Sequence, residues 1–472
     1  MKFITDLHLH SKYSRAVSQQ MVLPQMAHWA KLKGLQVIAT GDFTHPFWFD
    51  QIKNELEEAG NGLCRLKSAS DRSNVTQEVY FLLSCEISSI YSQGGKVRRI
   101  HNLFFFPSLT SVEKFNKELV KRGVNVRSDG RPITGITSRN LAEIALKVDE
   151  KALVIPAHAW TPWFSVFGAF SGFDSLSECF GDMTDYVFAI ETGLSSDPAM
   201  NWRIGDLEGK TILSFSDAHS LEKMGREATA FEADEISYDS IYQAIVRKSE
   251  NSENSQNQKI RKSDKSEDLT NRKSESSEYS GNSKIAFTIE FYPEEGKYHY
   301  TGHRDCNYSQ GIQKSKEGTK CPVCGRSLTI GVVDRVEDLA SGISNFKFQI
   351  SNGVRWIHSS NSFRPPYVSL VPLSEIIAQA LGVATGTKKV TDAYLSLVNG
   401  LGSEFNVLLK ADLADITKFA PQRVTEGIEK VRTGKITVDP GYDGKFGVVK
   451  IWSESLIEEE KKEEESQLNL FV

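Results

Sequence analysis

Phe3-Ile4-Thr5-Asp6-Leu7-His8-Leu9-His10 is the stretch whose reading decides the fold. Side chains alternate faces along a strand, so His8 and His10 point the same way and can grip one cation. Three further apolar runs end similarly: Val37 to Asp42, Leu153 to His158, and Ile212 to Asp217-Ala218-His219, where Asp217 and His219 repeat the two-residue spacing. Between them Glu86 follows Val79-Tyr80-Phe81-Leu82-Leu83, and His101 opens onto Asn102-Leu103-Phe104-Phe105-Phe106. Strands that end in ligands are how a barrel gathers a site from distant sequence. One His beside a strand is adequately explained as a hydrogen-bonded rim residue. Recurring His, Asp and Glu at strand ends, with two same-face pairs, are not. Imidazole with carboxylate suits zinc, manganese or iron, and a mixed cluster suits bridged cations that activate water. The chain reads as a metal-dependent hydrolase of the α/β class.

Asp6-Leu7-His8-Leu9-His10-Ser11, Thr40-Gly41-Asp42, Glu86, His101, Pro156-Ala157-His158 and Ser216-Asp217-Ala218-His219 resemble the successive motifs of the PHP (polymerase and histidinol phosphatase) domain. The resemblance implies a distorted β7α7 barrel over residues 1–247 that hydrolyses phosphoesters with two or three divalent cations (Zn, Mn or Mg). Its ligands would be His8, His10, Asp42, Glu86, His101, His158, Asp217 and His219, with Asp217, Glu86 and His158 at the chemistry. Two positions depart from the pattern. Many members carry an acidic ligand soon after the first His pair, where this chain reads Ser11-Lys12-Tyr13-Ser14-Arg15-Ala16, and many read Asp-His where this one has Asp42-Phe43. Asp42 and His45 are both candidates for the second-motif ligand, and Asp42 is preferred because it directly follows the strand.

Thr40-Gly41-Asp42-Phe43-Thr44-His45-Pro46, Ala157-His158-Ala159-Trp160-Thr161-Pro162-Trp163-Phe164, Ser171-Gly172-Phe173-Asp174-Ser175 and Glu191-Thr192-Gly193-Leu194-Ser195-Ser196-Asp197 narrow the likeness. They are similar to endonuclease Q, a DNA-repair branch of PHP proteins. That implies cutting of damaged DNA on the 5′ side of deaminated bases such as uracil and hypoxanthine, and of abasic sites. A lesion inside a duplex must be unstacked before a pocket can read it, and the aromatic loop Trp160 to Phe173 is the candidate pocket. Ser171, Gly172 and Ser195 are candidate readers of the base edge, and Arg226 a candidate holder of a phosphate oxygen.

Residues 248–284 are almost wholly Ser, Asn, Lys, Glu and Gln, a composition that cannot bury enough apolar surface to offset ordering; a linker is expected there. Beyond it, Ile285-Ala286-Phe287-Thr288-Ile289-Glu290-Phe291 reads as an alternating strand, and Gly302-His303-x-x-Cys306 and Cys321-Pro322-Val323-Cys324-Gly325 are paired knuckles. His303, Cys306, Cys321 and Cys324 are expected to close a tetrahedral structural zinc in a small module at 285–340, with His299 as the alternative to His303. Residues 341–452 are expected to form a helical, helix-hairpin-helix-like module, with helices near Leu373–Leu381, Ala393–Val398, Asp415–Phe419 and Thr425–Val431 punctuated by Gly382, Gly386, Gly400 and Gly402. Cys64, Cys85 and Cys179 are isolated, as small buried thiols in a reducing compartment would be. No long apolar segment is present, so a cytoplasmic, nucleoid-associated protein with no membrane contact is expected.

Residues 453–472 form an acidic tail ending Gln467-Leu468-Asn469-Leu470-Phe471. That ending resembles the short peptide with which bacterial proteins bind the DNA sliding clamp, with Gln467 anchoring one edge and Leu468, Leu470 and Phe471 supplying apolar contact. The formal net charge is −5, of which Glu458 to Glu465 carries −4. A near-neutral body has little bulk attraction for phosphate, and clamp recruitment would supply the effective concentration that charge does not.

Overall fold

A computed structural model describes residues 1–67, 78–246, 282–312, 318–342 and 345–452. Strand β1 (Lys2–Asp6) pairs in parallel with β2 (Val37–Ala39), and β2 in parallel with β3 (Tyr80–Gln93). β3 forms a long antiparallel hairpin with β4 (Lys96–Phe106), which runs antiparallel to β5 (Leu153–Pro156). The Ala159 N–H donates to the Glu191 carbonyl at 3.0 Å, carrying the order on to β6 (Ala189–Glu191). β6 pairs in parallel with β7 (Thr211–Leu213), and a 3.3 Å bond from His10 N–H to the Ala218 carbonyl returns the chain beside the end of β1. The short apolar strands β2, β5 and β6 are buried along their whole length, as strands covered on both faces must be.

Two helices that cover these strands start on side-chain caps. Ser108 accepts from Ser111 N–H at α1 (Leu109–Lys121), and Thr137 from Asn140 N–H at α2 (Ser138–Val148). The apolar faces of these helices bury Phe115, Leu119, Leu141 and Ala145. A second apolar cluster, which includes Phe3, Leu7, Phe105, Phe215 and Phe231, packs on α3 (Tyr238–Val246).

The sheet does not stop at residue 247. β8 (Ala228–Glu232) runs antiparallel to β1, and β9 (Lys284–Glu290) runs antiparallel to β8. The alternating strand expected to open the zinc module therefore extends the sheet of the first module. Its alternating pattern suits a strand covered on one face, and β8 offers the open backbone. β9 also pairs with Tyr367–Ser369, behind the hairpin Phe346–Ser351 and Val354–Ser359. The expected helical part thus begins with strands. Its helices lie at Leu373–Leu381, Lys388–Leu401, Glu404–Leu409, Leu413–Ile416 and Gln422–Thr433, and the first and last end on the left-handed glycines Gly382 and Gly434. A buried ion pair, Lys33 to Glu404 at 2.7 Å, ties these helices to Leu23–Lys33. Residues 248–281 of the expected linker, and the whole 453–472 tail, lie outside the described residues. Among the described residues no helix is long and apolar enough to cross a membrane.

Candidate metal centre

These strands and the turns that follow them bring two groups of three donors together: His8, His10 and Asp217, and Glu86, His101 and His158. Glu86 sits between them. Its Oε2 lies 3.3 Å from His10 Nε2 and 3.7 Å from His8 Nε2, while its Oε1 lies 2.7 Å from His101 Nδ1 and 3.1 Å from His158 Nε2. Asp217 Oδ1 is 3.2 Å from His10 Nε2 and 3.5 Å from His8 Nε2. The Glu86 carboxylate thus turns one oxygen toward each donor group.

The backbone holds this arrangement under strain. Asp42, His158 and Asp217 all have left-handed φ values, 49°, 31° and 48°. Non-glycine residues pay for that conformation, and it concentrates at functional sites. Behind His158, Gly193 (φ 60°) leaves the room a side chain would take: a Cβ there would lie 2.4 Å from His158 Cβ.

Partners behind the histidines fix their tautomers. His8 Nδ1 donates to Glu191 Oε1 at 2.9 Å, and Glu191 Oε2 accepts from the His158 N–H at 2.7 Å. His10 Nδ1 donates to Asp42 Oδ1 at 3.0 Å, and Asp42 Oδ2 accepts from Ser11 N–H, Ser11 Oγ and Ser14 Oγ. Both oxygens of Asp42 are thereby engaged, and it stands behind His10 rather than within either donor group. His45, the alternative, stacks on Tyr13 at 4.5 Å and also lies outside both groups. His219 packs against His10 at 4.9 Å between ring centroids, and its Nδ1 donates to the Asp217 carbonyl at 3.0 Å, so it flanks the centre.

Among the described residues, His8 Nε2, His10 Nε2 and Asp217 Oδ1 are buried with no hydrogen-bond partner. Orphaned atoms of these types, aimed at one space, are what a cation site requires. The electrostatics agree. Burial opposes a proton on His8 and His10, yet Glu191 and Asp217 around the first and Asp42 and Asp217 around the second hold both pKa values well above the ordinary. Burial likewise opposes charge on Glu86 and Asp217, but His101 and Arg131 hold Glu86 well below its usual range, and His8 and His10 do the same for Asp217. Burial pushes His101 down to about 4. The cavity favours positive charge, which divalent cations would supply in place of imidazole protons.

The candidate readers fare differently. Ser171 Oγ accepts from Phe164 N–H at 3.2 Å and donates to the Arg99 carbonyl at 3.4 Å, so it braces the loop. A Cβ on Gly172 would lie 2.3 Å from the Gly168 nitrogen, which makes that glycine a packing requirement. Ser195 is buried and carries no side-chain hydrogen bond among the described residues. Arg226 Nε donates to the Ser216 carbonyl at 2.9 Å and its Nη2 to the Asp217 carbonyl at 3.3 Å, so it grips the Asp217 turn. Sequence reasoning gave no role to Glu191 or Arg131. Glu191 stood in a quoted motif at the end of an apolar run, the same signal that marked His158; Arg131, in a loop between Gly130 and Pro132, carried none.

In the second module His303, Cys306, Cys321 and Cys324 place their ligand atoms within 4.8 Å of one another. His303 Nδ1 is 3.4 Å from Cys324 Sγ, and the Gly325 N–H closes the knuckle on the Cys321 carbonyl at 2.8 Å. His299 is buried outside this group, and burial pushes its pKa down to about 4.

Comparison with known proteins places this geometry. Residues 372–435 match the family model described as the MJ0043 C-terminal domain. The chain is 31% identical over 301 residues to protein MJ0043 of Methanocaldococcus jannaschii, an alignment covering 62% of this chain and 31% of that protein's length. It is 26% identical over 463 residues to YqxK of Bacillus subtilis, covering 95% of this chain and 99% of that one. The crystal structure of the lesion-specific endonuclease EndoQ from Pyrococcus furiosus superposes with a TM-score of 0.75 at 31% identity, over 97% of both chains. Endonuclease Q bound to a 27-mer duplex with an abasic lesion at the active site matches with the same score, over 97% of this chain and 98% of that one. With that identity sustained over essentially its whole length, the chain belongs to the endonuclease Q family.

Proposed function

We propose that this protein is a lesion-specific DNA endonuclease that hydrolyses the phosphodiester on the 5′ side of deaminated bases and abasic sites. The observation that carries the reading is the pair of donor groups joined by Glu86, with His8 Nε2, His10 Nε2 and Asp217 Oδ1 buried and without a hydrogen-bond partner among the described residues. The full-length likeness to a lesion-specific endonuclease, one copy of which holds a duplex with an abasic lesion, supports damaged DNA as the substrate class. The continuous order of strands β1 to β7 supports reading the first module as a distorted barrel.

In this reading His8, His10 and Asp217 hold one divalent cation and His101 and His158 a second, with Glu86 between them. Bound there, the cations would supply a nucleophilic water at neutral pH and neutralise charge on the phosphoryl oxygens. Glu191 and Asp42 fix the rings of His8 and His10, and Arg226 holds the Asp217 turn. The Trp160 to Phe173 loop remains the proposed lesion pocket. Trp163 and Phe170 stack there at 4.8 Å, with Phe170 44% exposed, a surface on which an unstacked base can rest. Ser195 is the polar reader still free to act. The Cys/His module takes a structural zinc, and the terminal Gln467-Leu468-Asn469-Leu470-Phe471 docks on a sliding clamp.

A labelled duplex carrying one deoxyuridine, hypoxanthine or abasic site, incubated with manganese or magnesium, tests the reading. A single cut just 5′ of the lesion, absent from undamaged duplex, is expected. Hydrolysis of 4-nitrophenyl phosphate with no cut on any lesion would favour a small-molecule phosphoesterase instead. Removing residues 466–472 should abolish binding to a purified bacterial clamp and leave nicking of free oligonucleotides unchanged.

A further inference from the structure

Arg131 places a guanidinium inside the donor cluster. Its Nη1 lies 3.0 Å from Glu86 Oε2, the oxygen that also faces His8 and His10. The side chain is 26% exposed and has no other side-chain hydrogen bond among the described residues, so donors remain for a ligand. The loop that carries it is pinned. Gly130 N–H donates to the Tyr13 carbonyl at 3.0 Å, Thr44 Oγ1 donates to the Gly130 carbonyl at 3.2 Å, and Arg131 N–H donates to Asp129 Oδ1 at 3.1 Å. A Cβ on Gly130 would lie 2.5 Å from Asp42 Oδ2, so this loop presses against the carboxylate that the sequence offered as a further ligand.

Two features then meet. Among the described residues the barrel supplies two groups of three donors, and both Asp42 oxygens are taken by His10, Ser11 and Ser14. On that same side a permanent cation touches the bridging Glu86. We propose that Arg131 is the fixed positive charge of a two-cation centre, standing where a further metal ion would otherwise be needed and offering its remaining N–H donors to a phosphoryl oxygen. Two dications would be faced by the carboxylates of Glu86, Asp217, Glu191 and Asp42, and Arg131 adds beside them a positive charge that an anionic phosphoryl group can meet. A guanidinium suits the task because it stays protonated and presents planar, paired donors. Arg131 positions Glu86 whether or not substrate is bound. The inference rests on the metal-hydrolase reading above but not on the lesion specificity.

The test uses the full chain loaded with manganese, as wild type, Arg131→Ala and Arg131→Lys. Elemental mass spectrometry counts the cations, and calorimetry measures binding of inorganic phosphate. Three cations per wild-type chain are expected, two in the barrel and one at the Cys/His cluster, with the same three in Arg131→Ala. Phosphate affinity should fall roughly 10-fold or more in Arg131→Ala, the loss of a charge-assisted hydrogen bond, and less in Arg131→Lys. Where cutting is measured, kcat should fall about 100-fold with KM little changed, and added guanidinium should restore part of it. Four cations in the wild type, loss of barrel cations in Arg131→Ala, or unchanged phosphate affinity would each overturn the proposal. Phosphate binding and metal counts need no damaged DNA, so a failure to cut lesions with these results intact would remove the DNA reading alone.

Discussion

His8 and Glu191 are joined by a 2.9 Å hydrogen bond from Nδ1 to Oε1, and the other Glu191 oxygen takes the backbone N–H of His158 at 2.7 Å. One buried carboxylate therefore orients an imidazole in one donor group and the turn that delivers an imidazole to the other. Glu191→Gln keeps the shape and removes the charge. It should weaken cation binding about 10–100-fold, as loss of a partner behind a metal-binding histidine does, measured by competition with a chromophoric chelator. Unchanged affinity would leave Glu191 a packing residue.

Asp217 belongs to the first donor group. Asp217→Asn should lower nicking by more than the roughly 10–100-fold that changes behind the ligands cost, while fluorescence anisotropy shows duplex binding largely retained. Full activity in the variant would remove the metal assignment.

The Cys/His module should depend on its ion. Cys321→Ser should bring the metal content down by one zinc per chain and expose residues 296–330 to limited proteolysis, since structural zinc contributes folding energy directly. A variant that keeps its zinc would show that the remaining three ligands and another donor suffice.

Ser171 and Ser195 separate a brace from a reader. Ser171→Ala deletes two backbone contacts and should cost about 1 kcal/mol for each bond in thermal stability, lowering cutting of every lesion alike. Ser195→Val should alter the uracil to hypoxanthine rate ratio more than it alters stability. Equal effects on both lesions would exclude Ser195 from the pocket.

Glu295 makes stability depend on pH. Burial first, and then the charge of Glu375, lift its carboxyl from the ordinary 4.5 to about 8. The folded state keeps a proton that the unfolded chain releases near 4.5, so the unfolded state binds fewer protons between those values. The stabilisation is full below 4.5 and is lost as pH rises toward 8, with a slope approaching ~1.4 kcal/mol per pH unit. Denaturant unfolding of Glu295→Gln, which cannot ionise, should show a flatter profile across that window, and an identical profile would reject the shift.

How far the sequence reached depended on the kind of signal each residue left. His8, His10, His101, His158, Asp217 and Glu86 were legible because an apolar run marks a strand, and the residue that ends or interrupts it is set on one face by alternation. Even so, Glu86 is not at a strand end: β3 runs on to Gln93 and carries it mid-strand against β4. The knuckles were legible because their spacing is local. The β9 strand was recognised as a strand, but its partner β8 lies across the 248–281 stretch, and pairing across such a distance leaves no mark in composition.

By itself, the sequence determined that His, Asp and Glu recur on strands at spacings that put them on one face with the chemistry of cation ligands, because strand periodicity and ligand chemistry are local properties. Only the tertiary structure decided their division of labour. Asp42 turns its oxygens to His10, Ser11 and Ser14, Glu191 spans His8 and His158, Arg226 grips the Asp217 turn, and Arg131 enters from a loop with no motif of its own. Whether a carboxylate faces a cavity or stands behind a histidine depends on which distant backbone presses against it, and that contact exists only in the folded chain.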